Sequence, residues 1–266
     1  MIGLSTTFDY RDTTVLVTGA SSGIGAAFAD SLAERGANLV LVARSIDVLD
    51  ASAARLRSTF SVKVETMRVD LSDPSDRERL IATYASRQID VLINNAGLGS
   101  HGALAVVPAA EVLHLVELNC AAVVDLTRAF LPQMLQRDAG GIINVASTAA
   151  FQPTPQMATY GATKAFVLSF SQAVSTECRR SGVTVLAFCP GAVATNFSSA
   201  LGEPRLTDRV FSRAPGAAYL VPGALDAFAR SKSLYIPGMS NRLASLSVRF
   251  APRKLTGAVV DKLLSS

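Results

Sequence analysis

Tyr160 and Lys164 stand four residues apart. On a helix that spacing puts both on one face, so a phenol and an ammonium group would lie side by side. Tyrosine alone titrates at about pH 10, and a neighbouring positive charge that stabilises the phenolate would let it give up and regain a proton near neutrality. An ordinary amphipathic helix with one aromatic and one lysine would show the same spacing, so the pair needs corroboration. Ser147, thirteen residues before Tyr160, closes the apolar run that starts at Gly141 and would bring a hydroxyl to the same place. Asn119, inside a long apolar helical stretch, reads either as a satisfied core amide or as a residue that opens the helix and holds a water near Lys164.

A second constellation precedes these residues. The short apolar run Thr14–Thr18 leads into Gly19, Ala20, Ser21, Ser22, Gly23, Ile24 and Gly25, and helix-forming residues follow to Arg35. Strand, glycine turn and helix start together let a phosphate approach the main chain and meet free N–H groups at a favourable dipole. The next apolar run, Asn38–Ala43, ends in Arg44 where a dinucleotide fold often carries an acidic residue for the ribose hydroxyls. A guanidinium there would meet a 2′-phosphate, so NADP(H) is expected over NAD(H). Asp70, with Leu71 beside it, would face the adenine or begin a turn with Ser72 and Asp73. Asn95, Ala96 and Gly97 are small enough for backbone to lie against a flat cofactor, and Pro190, Gly191, Val193 and Thr195 would reach its nicotinamide end.

The elements that would position these groups alternate. Helices are expected over Asp47–Phe60, Pro74–Arg87, Pro108–Gln136, Met157–Arg180 and Pro222–Arg230. Strands are expected over Lys63–Arg68, Asp90–Asn94, Gly141–Ser147, Val183–Cys189 and Ser233–Gly238. Such alternation predicts an α/β fold, a parallel sheet with helices on both faces. One domain over 1–266 is expected, with a variable segment at about 196–216 and an amphipathic tail at about 241–266.

Composition narrows the function classes. The chain has 266 residues, 49% hydrophobic and 17% charged, enough for one large core. Its 25 basic and 21 acidic residues give a net charge of +4 and are scattered, so no nucleic-acid face is expected. The three cysteines are far apart in apolar surroundings, which fits reduced thiols and a cytoplasmic location. Two histidines without ligand spacing make a metal site unexpected. No stretch has the length and apolarity of a transmembrane segment, and no signal peptide is expected. The tail could lie on a membrane surface or cover a neighbouring subunit, but docking on its own domain is the commoner fate.

Taken together, Thr18-Gly19-Ala20-Ser21-Ser22-Gly23-Ile24-Gly25, Asp70, Asn94-Asn95-Ala96-Gly97, Asn119, Ser147, Tyr160-Gly-Ala-Thr-Lys164 and Pro190-Gly191 resemble the short-chain dehydrogenase/reductase family, in its TGxxxGxG and YxxxK branch. The resemblance covers about 14–195. It implies a Rossmann-like, doubly wound, seven-stranded parallel sheet and hydride transfer between a nicotinamide and a carbonyl or alcohol carbon. Tyr160 would be the acid/base and Ser147 would orient the carbonyl. Lys164 would bind the nicotinamide ribose and depress the tyrosine's pKa, and Asn119 would complete a proton relay through water. The region 196–216 would form a substrate lid, and family members assemble as homodimers or homotetramers. Phe151, Pro153, Pro155, Met157, Phe197, Leu201 and Leu206 suggest an apolar pocket, so reduction of a hydrophobic ketone is expected. Reduction of a 3-oxoacyl thioester is the alternative, and a redox sensor or scaffold that binds NADP(H) without turnover is the alternative outside enzymes.

Overall fold

The protein is described by a computed structural model over residues 7–195, 197 and 214–248. Seven strands form one sheet in the order β3-β2-β1-β4-β5-β6-β7. They are β1 (Thr14–Thr18), β2 (Asn38–Ala43), β3 (Val64–Arg68), β4 (Val91–Asn94), β5 (Gly140–Val145), β6 (Val183–Phe188) and β7 (Leu234–Tyr235). Every pairing is parallel. Strand order reverses beside β1, where the chain steps from β3 on one side to β4 on the other. A crevice opens at the carboxyl ends of the strands at such a point.

The helices are α1 (Gly23–Glu34), α2 (Ile46–Phe60), α3 (Pro74–Tyr84), α4 (Ala109–Val116), α5 (Ala122–Arg137), α6 (Ala158–Glu177), α7 (Ala217–Ala229) and α8 (Met239–Ser247). Alternation along the strands divides the core into two layers. Val15, Val17, Leu39 and Leu41 point to the layer built with Phe28 and Leu32 of α1, Leu49 and Leu56 of α2, and Leu225 and Phe228 of α7. Leu16, Val40, Val42 and Ile142 point the other way, onto Leu80 of α3, Leu126 and Phe130 of α5, and Val174 of α6. Both faces are covered, which explains why the strands read as continuous apolar runs.

Three expectations are modified. The single helix expected over Pro108–Gln136 is α4 and α5 joined by a π-helical turn, Glu117–Ala121, with Asn119 at its centre. The seventh strand shrinks to Leu234–Tyr235, paired with β6 alone at the sheet edge. Helix α7 starts at Ala217 and keeps Pro222 inside it. The proline costs one ladder bond, but Leu220, Val221, Ala224 and Leu225 are buried around it. Most of the expected lid and the tail beyond Val248 lie outside the described residues. Beside that segment, Ala194 N–H donates to the Pro215 carbonyl at 3.1 Å.

Candidate active site

The glycine turn is held by its neighbours before any ligand is considered. Thr18, buried at the end of β1, donates its hydroxyl to the Ile93 carbonyl at 3.1 Å and accepts from the N–H groups of Asn95 and Ala96 at 2.9 and 3.0 Å. The Asn95 amide donates to the Thr18 carbonyl at 2.8 Å. The turn is therefore clamped to the residues leaving β4. Gly19 and Gly23 have φ of +64° and +56°, a region that L side chains avoid. A Cβ on Gly25 would stand 2.2 Å from the Gly19 carbonyl oxygen, so only glycine lets α1 start this close to β1. The empty volume kept by these contacts, beside free N–H groups at a helix start, fits a diphosphate.

A cleft of about 650 Å³ runs from this turn along the sheet edge. Gly19, Ser21, Ser22, Gly23, Ile24, Arg44, Asp70, Leu71, Asn95, Ala96 and Gly97 line one part of it. Ser147, Tyr160, Lys164, Pro190, Gly191, Val193 and Thr195 line the other. Of the residues expected from the sequence, Gly25 and Asn119 support the wall from behind. At the far end Arg44 is exposed, facing Asp70. Burial works to raise the Asp70 pKa, but two hydrogen bonds from Ser72 and the Arg44 charge prevail and hold the carboxyl below its ordinary value. Asp70 thus both caps the turn and borders the cleft.

Lys164 is buried, and its ammonium donates to the Val145 carbonyl at 2.8 Å. Burial pulls its pKa down from 10.5 to about 8, against smaller opposing influences of Cys120 and Cys189. Its Nζ lies 5.9 Å from the centroid of the Tyr160 ring. The expected depression of the Tyr160 pKa by Lys164 does not hold in this arrangement. Although the ring is partly open to the cleft, burial of the hydroxyl pushes the phenol up to about 12, and the Ser147 hydroxyl is the one neighbour that works the other way. The ammonium is directed to the Val145 carbonyl, and desolvation of the phenol prevails. Tyr160 is consequently a protonated acid at neutral pH.

Asn119 is fully engaged. Its amide oxygen accepts from the Leu98 N–H at 3.0 Å, and its nitrogen donates to the Leu98 carbonyl at 2.9 Å and to the Thr163 hydroxyl at 3.1 Å. It joins the loop after Gly97 to α6 beside Lys164. A side chain on Gly97 would meet Asn119 Oδ1 at 3.1 Å and Lys164 Nζ at 3.4 Å, so the small residue there is what lets the cleft reach the lysine. Tyr160 itself is placed by a close approach: a Cβ on Gly161 would fall 2.0 Å from the Thr154 hydroxyl oxygen.

The apolar end of the cleft combines expected and unexpected residues. Met157 and Phe197 line it, and Phe197 leans on Tyr160 with ring centroids 5.3 Å apart. Phe151 instead packs against the buried cluster that contains Val123, Val167, Leu168 and Ala187, and Pro153 and Pro155 are not in the lining. Leu98, Leu118, Gln152 and Thr154 line the cleft without a sequence signal that would have singled them out, since they sit on loops and a π-turn with no periodicity.

The family model for short chain dehydrogenase matches residues 13–205. The chain belongs to the short-chain dehydrogenase/reductase family. A solved short-chain dehydrogenase from Sphingobium yanoikuyae in complex with NADPH is 38% identical, with a TM-score of 0.82 over 90% of this chain and 93% of that one. A bulky-bulky ketone specific alcohol dehydrogenase from Comamonas testosteroni is 35% identical, with a TM-score of 0.78 over 90% and 92%. The very-long-chain 3-oxoacyl-CoA reductase of Bos taurus is 35% identical over 187 residues, which are 69% of this chain and 60% of that protein. This chain thus spans about 60% of the length of that relative. Its sheet and glycine turn are the nucleotide-binding fold of that family of oxidoreductases. Among its described residues no helix is long and apolar enough to cross a membrane.

Proposed function

We propose that this short-chain dehydrogenase/reductase uses NADP(H), in preference to NAD(H), to reduce a ketone flanked by bulky apolar groups. The observation that carries the reading is a single cleft joining a glycine turn and Arg44 at one end to Ser147, Tyr160 and an apolar pocket at the other. The turn N–H groups would hold the diphosphate, Arg44 the 2′-phosphate, and Lys164 the nicotinamide ribose. Bound there, the cofactor supplies the hydride. Ser147 donates a hydrogen bond to the substrate carbonyl and orients it. Tyr160, held protonated by burial, donates its proton to the same oxygen as negative charge develops. A relay that returns the proton through Asn119 would use that residue's main chain, because its side chain is committed to Leu98 and Thr163. Likeness to the NADPH-bound and bulky-ketone relatives supports the choice of cofactor and substrate class.

Reduction of a 3-oxoacyl thioester is the second reading, supported by likeness to the bovine reductase. A scaffold or sensor would have no use for a buried phenol and lysine at one mouth. The test is NADPH oxidation with hexanophenone and with a long-chain 3-oxoacyl-CoA, for wild type and Tyr160→Phe. Turnover of the ketone that falls by about a thousandfold in the variant, with NADPH binding intact, is expected. Turnover of the thioester alone would replace the ketone reading, and equal rates in the variant would remove the enzyme reading.

A further inference from the structure

Arg77, in the first turn of α3, is the only arginine buried among the described residues. Its guanidinium serves three separate segments. Nη1 donates to the Leu71 carbonyl at 2.9 Å, Nη2 to Glu117 at 2.7 Å and Nε to Asp125 at 2.7 Å. Leu71 is part of the wall at the Arg44 end of the cleft. Glu117 opens the π-turn whose centre is Asn119, and Asp125 stands in the first turn of α5, just beyond that turn. Asn119 in turn ties Leu98 to Thr163, the residue before Lys164.

We propose that Arg77 is a positioning residue that fixes the cofactor-binding wall at Leu71 and the π-turn carrying Asn119 relative to each other. Through it, the two ends of the cleft share one support. The inference rests on reading the cleft as an NADP(H) site with Tyr160 and Lys164 at its reactive end. The chemistry favours arginine at this place, because a planar fork with five donors can satisfy a carbonyl and two carboxylates at once. A lysine would reach one or two of them. Glu117 and Asp125 are partly open to water, their side chains 39% and 47% exposed, so loss of the guanidinium lets them rehydrate and leaves the π-turn without its anchor. The wall and the turn would then move independently.

The test uses the full chain carrying Arg77→Met, Arg77→Lys or Glu117→Gln, with Arg87→Met as a control that removes an exposed ion pair to Glu65. NADPH affinity is read by fluorescence titration, kcat for hexanophenone at saturating NADPH together with its pH profile, and stability by thermal unfolding. Arg77→Met is expected to raise the NADPH Kd about tenfold and to lower kcat about tenfold, each equal to about 1.4 kcal/mol. The midpoint of its pH profile is expected to move as well. Arg77→Lys should recover part of both losses, and Glu117→Gln should lower kcat with little change in Kd. A merely structural role would lower the unfolding temperature and leave kcat, Kd and the pH midpoint of the folded protein at the control's values. That result overturns the proposal. Should Arg77→Met fail to fold, Arg77→Lys and Glu117→Gln decide by the same readings. Wild type that binds no NADPH would instead remove the reading of the cleft itself.

Discussion

Lys164→Met is expected to stabilise the protein near neutral pH while abolishing its activity. The native lysine is buried with a single hydrogen bond, to the Val145 carbonyl, and burial brings its pKa from 10.5 to about 8. At about 1.4 kcal/mol for each pH unit, holding that ammonium charged in the folded state costs about 3 kcal/mol. Methionine has similar length and no charge to desolvate. It forfeits the hydrogen bond to Val145, a loss of about 1–2 kcal/mol. The net gain at pH 7 is therefore about 1–2 kcal/mol, a rise of roughly 3–6 °C in unfolding temperature for a chain of this size.

The pH dependence separates this cause from better packing. Below pH 8 the lysine is charged in both the folded and unfolded chains, and wild type carries the whole penalty. Between pH 8 and 10.5 the unfolded chain binds more protons than the folded one, so wild-type stability from this group rises with pH. The variant has no such group, and its advantage should fade across that window. Urea denaturation of both proteins from pH 7 to 10.5 measures the effect. A variant less stable than wild type at pH 7, or a difference constant with pH, would refute the reasoning. The ammonium would then be hydrated in the folded protein and titrate as it does in the unfolded chain.

Other perturbations address the remaining parts of the cleft. Arg44→Ala should weaken NADPH binding at least about tenfold and leave NADH binding nearly unchanged, because only the 2′-phosphate is expected to meet the guanidinium; equal losses for both cofactors in a binding titration would remove the phosphate assignment. Gly161→Ala should destabilise the protein by about 2 kcal/mol or more, since its Cβ would fall 2.0 Å from Thr154 Oγ1. Adding Thr154→Ala should recover much of that loss, and a double mutant no more stable than the single one would show that the clash lies elsewhere.

The parts of this molecule that were legible in the sequence are those written in local chemistry. Apolar runs such as Val15–Val17 and Leu39–Leu41 must be strands buried on both sides, and the glycine turn and Tyr160–Lys164 spacing follow from backbone and helix geometry. Less legible were properties set by what packs around a residue. Lys164 next to a phenol reads as a source of acidity, yet burial dominates both groups and leaves the phenol protonated. Asn119 reads as a helix interruption, which the π-turn is, but its side chain closes on Leu98 and Thr163. Arg77 sits in the charged run Ser75-Asp76-Arg77-Glu78-Arg79, the pattern of a solvated helix start, and no periodicity sets it apart from Arg79. The difference is tertiary: Arg79 is half exposed beside Asp76, whereas Arg77 turns under α5 toward three acceptors. A buried arginine persists only where its partners are fixed, so its presence marks Leu71, Glu117 and Asp125 as points whose relative positions are constrained. That constraint joins the cofactor wall to the reactive end across a gap that no local pattern spans.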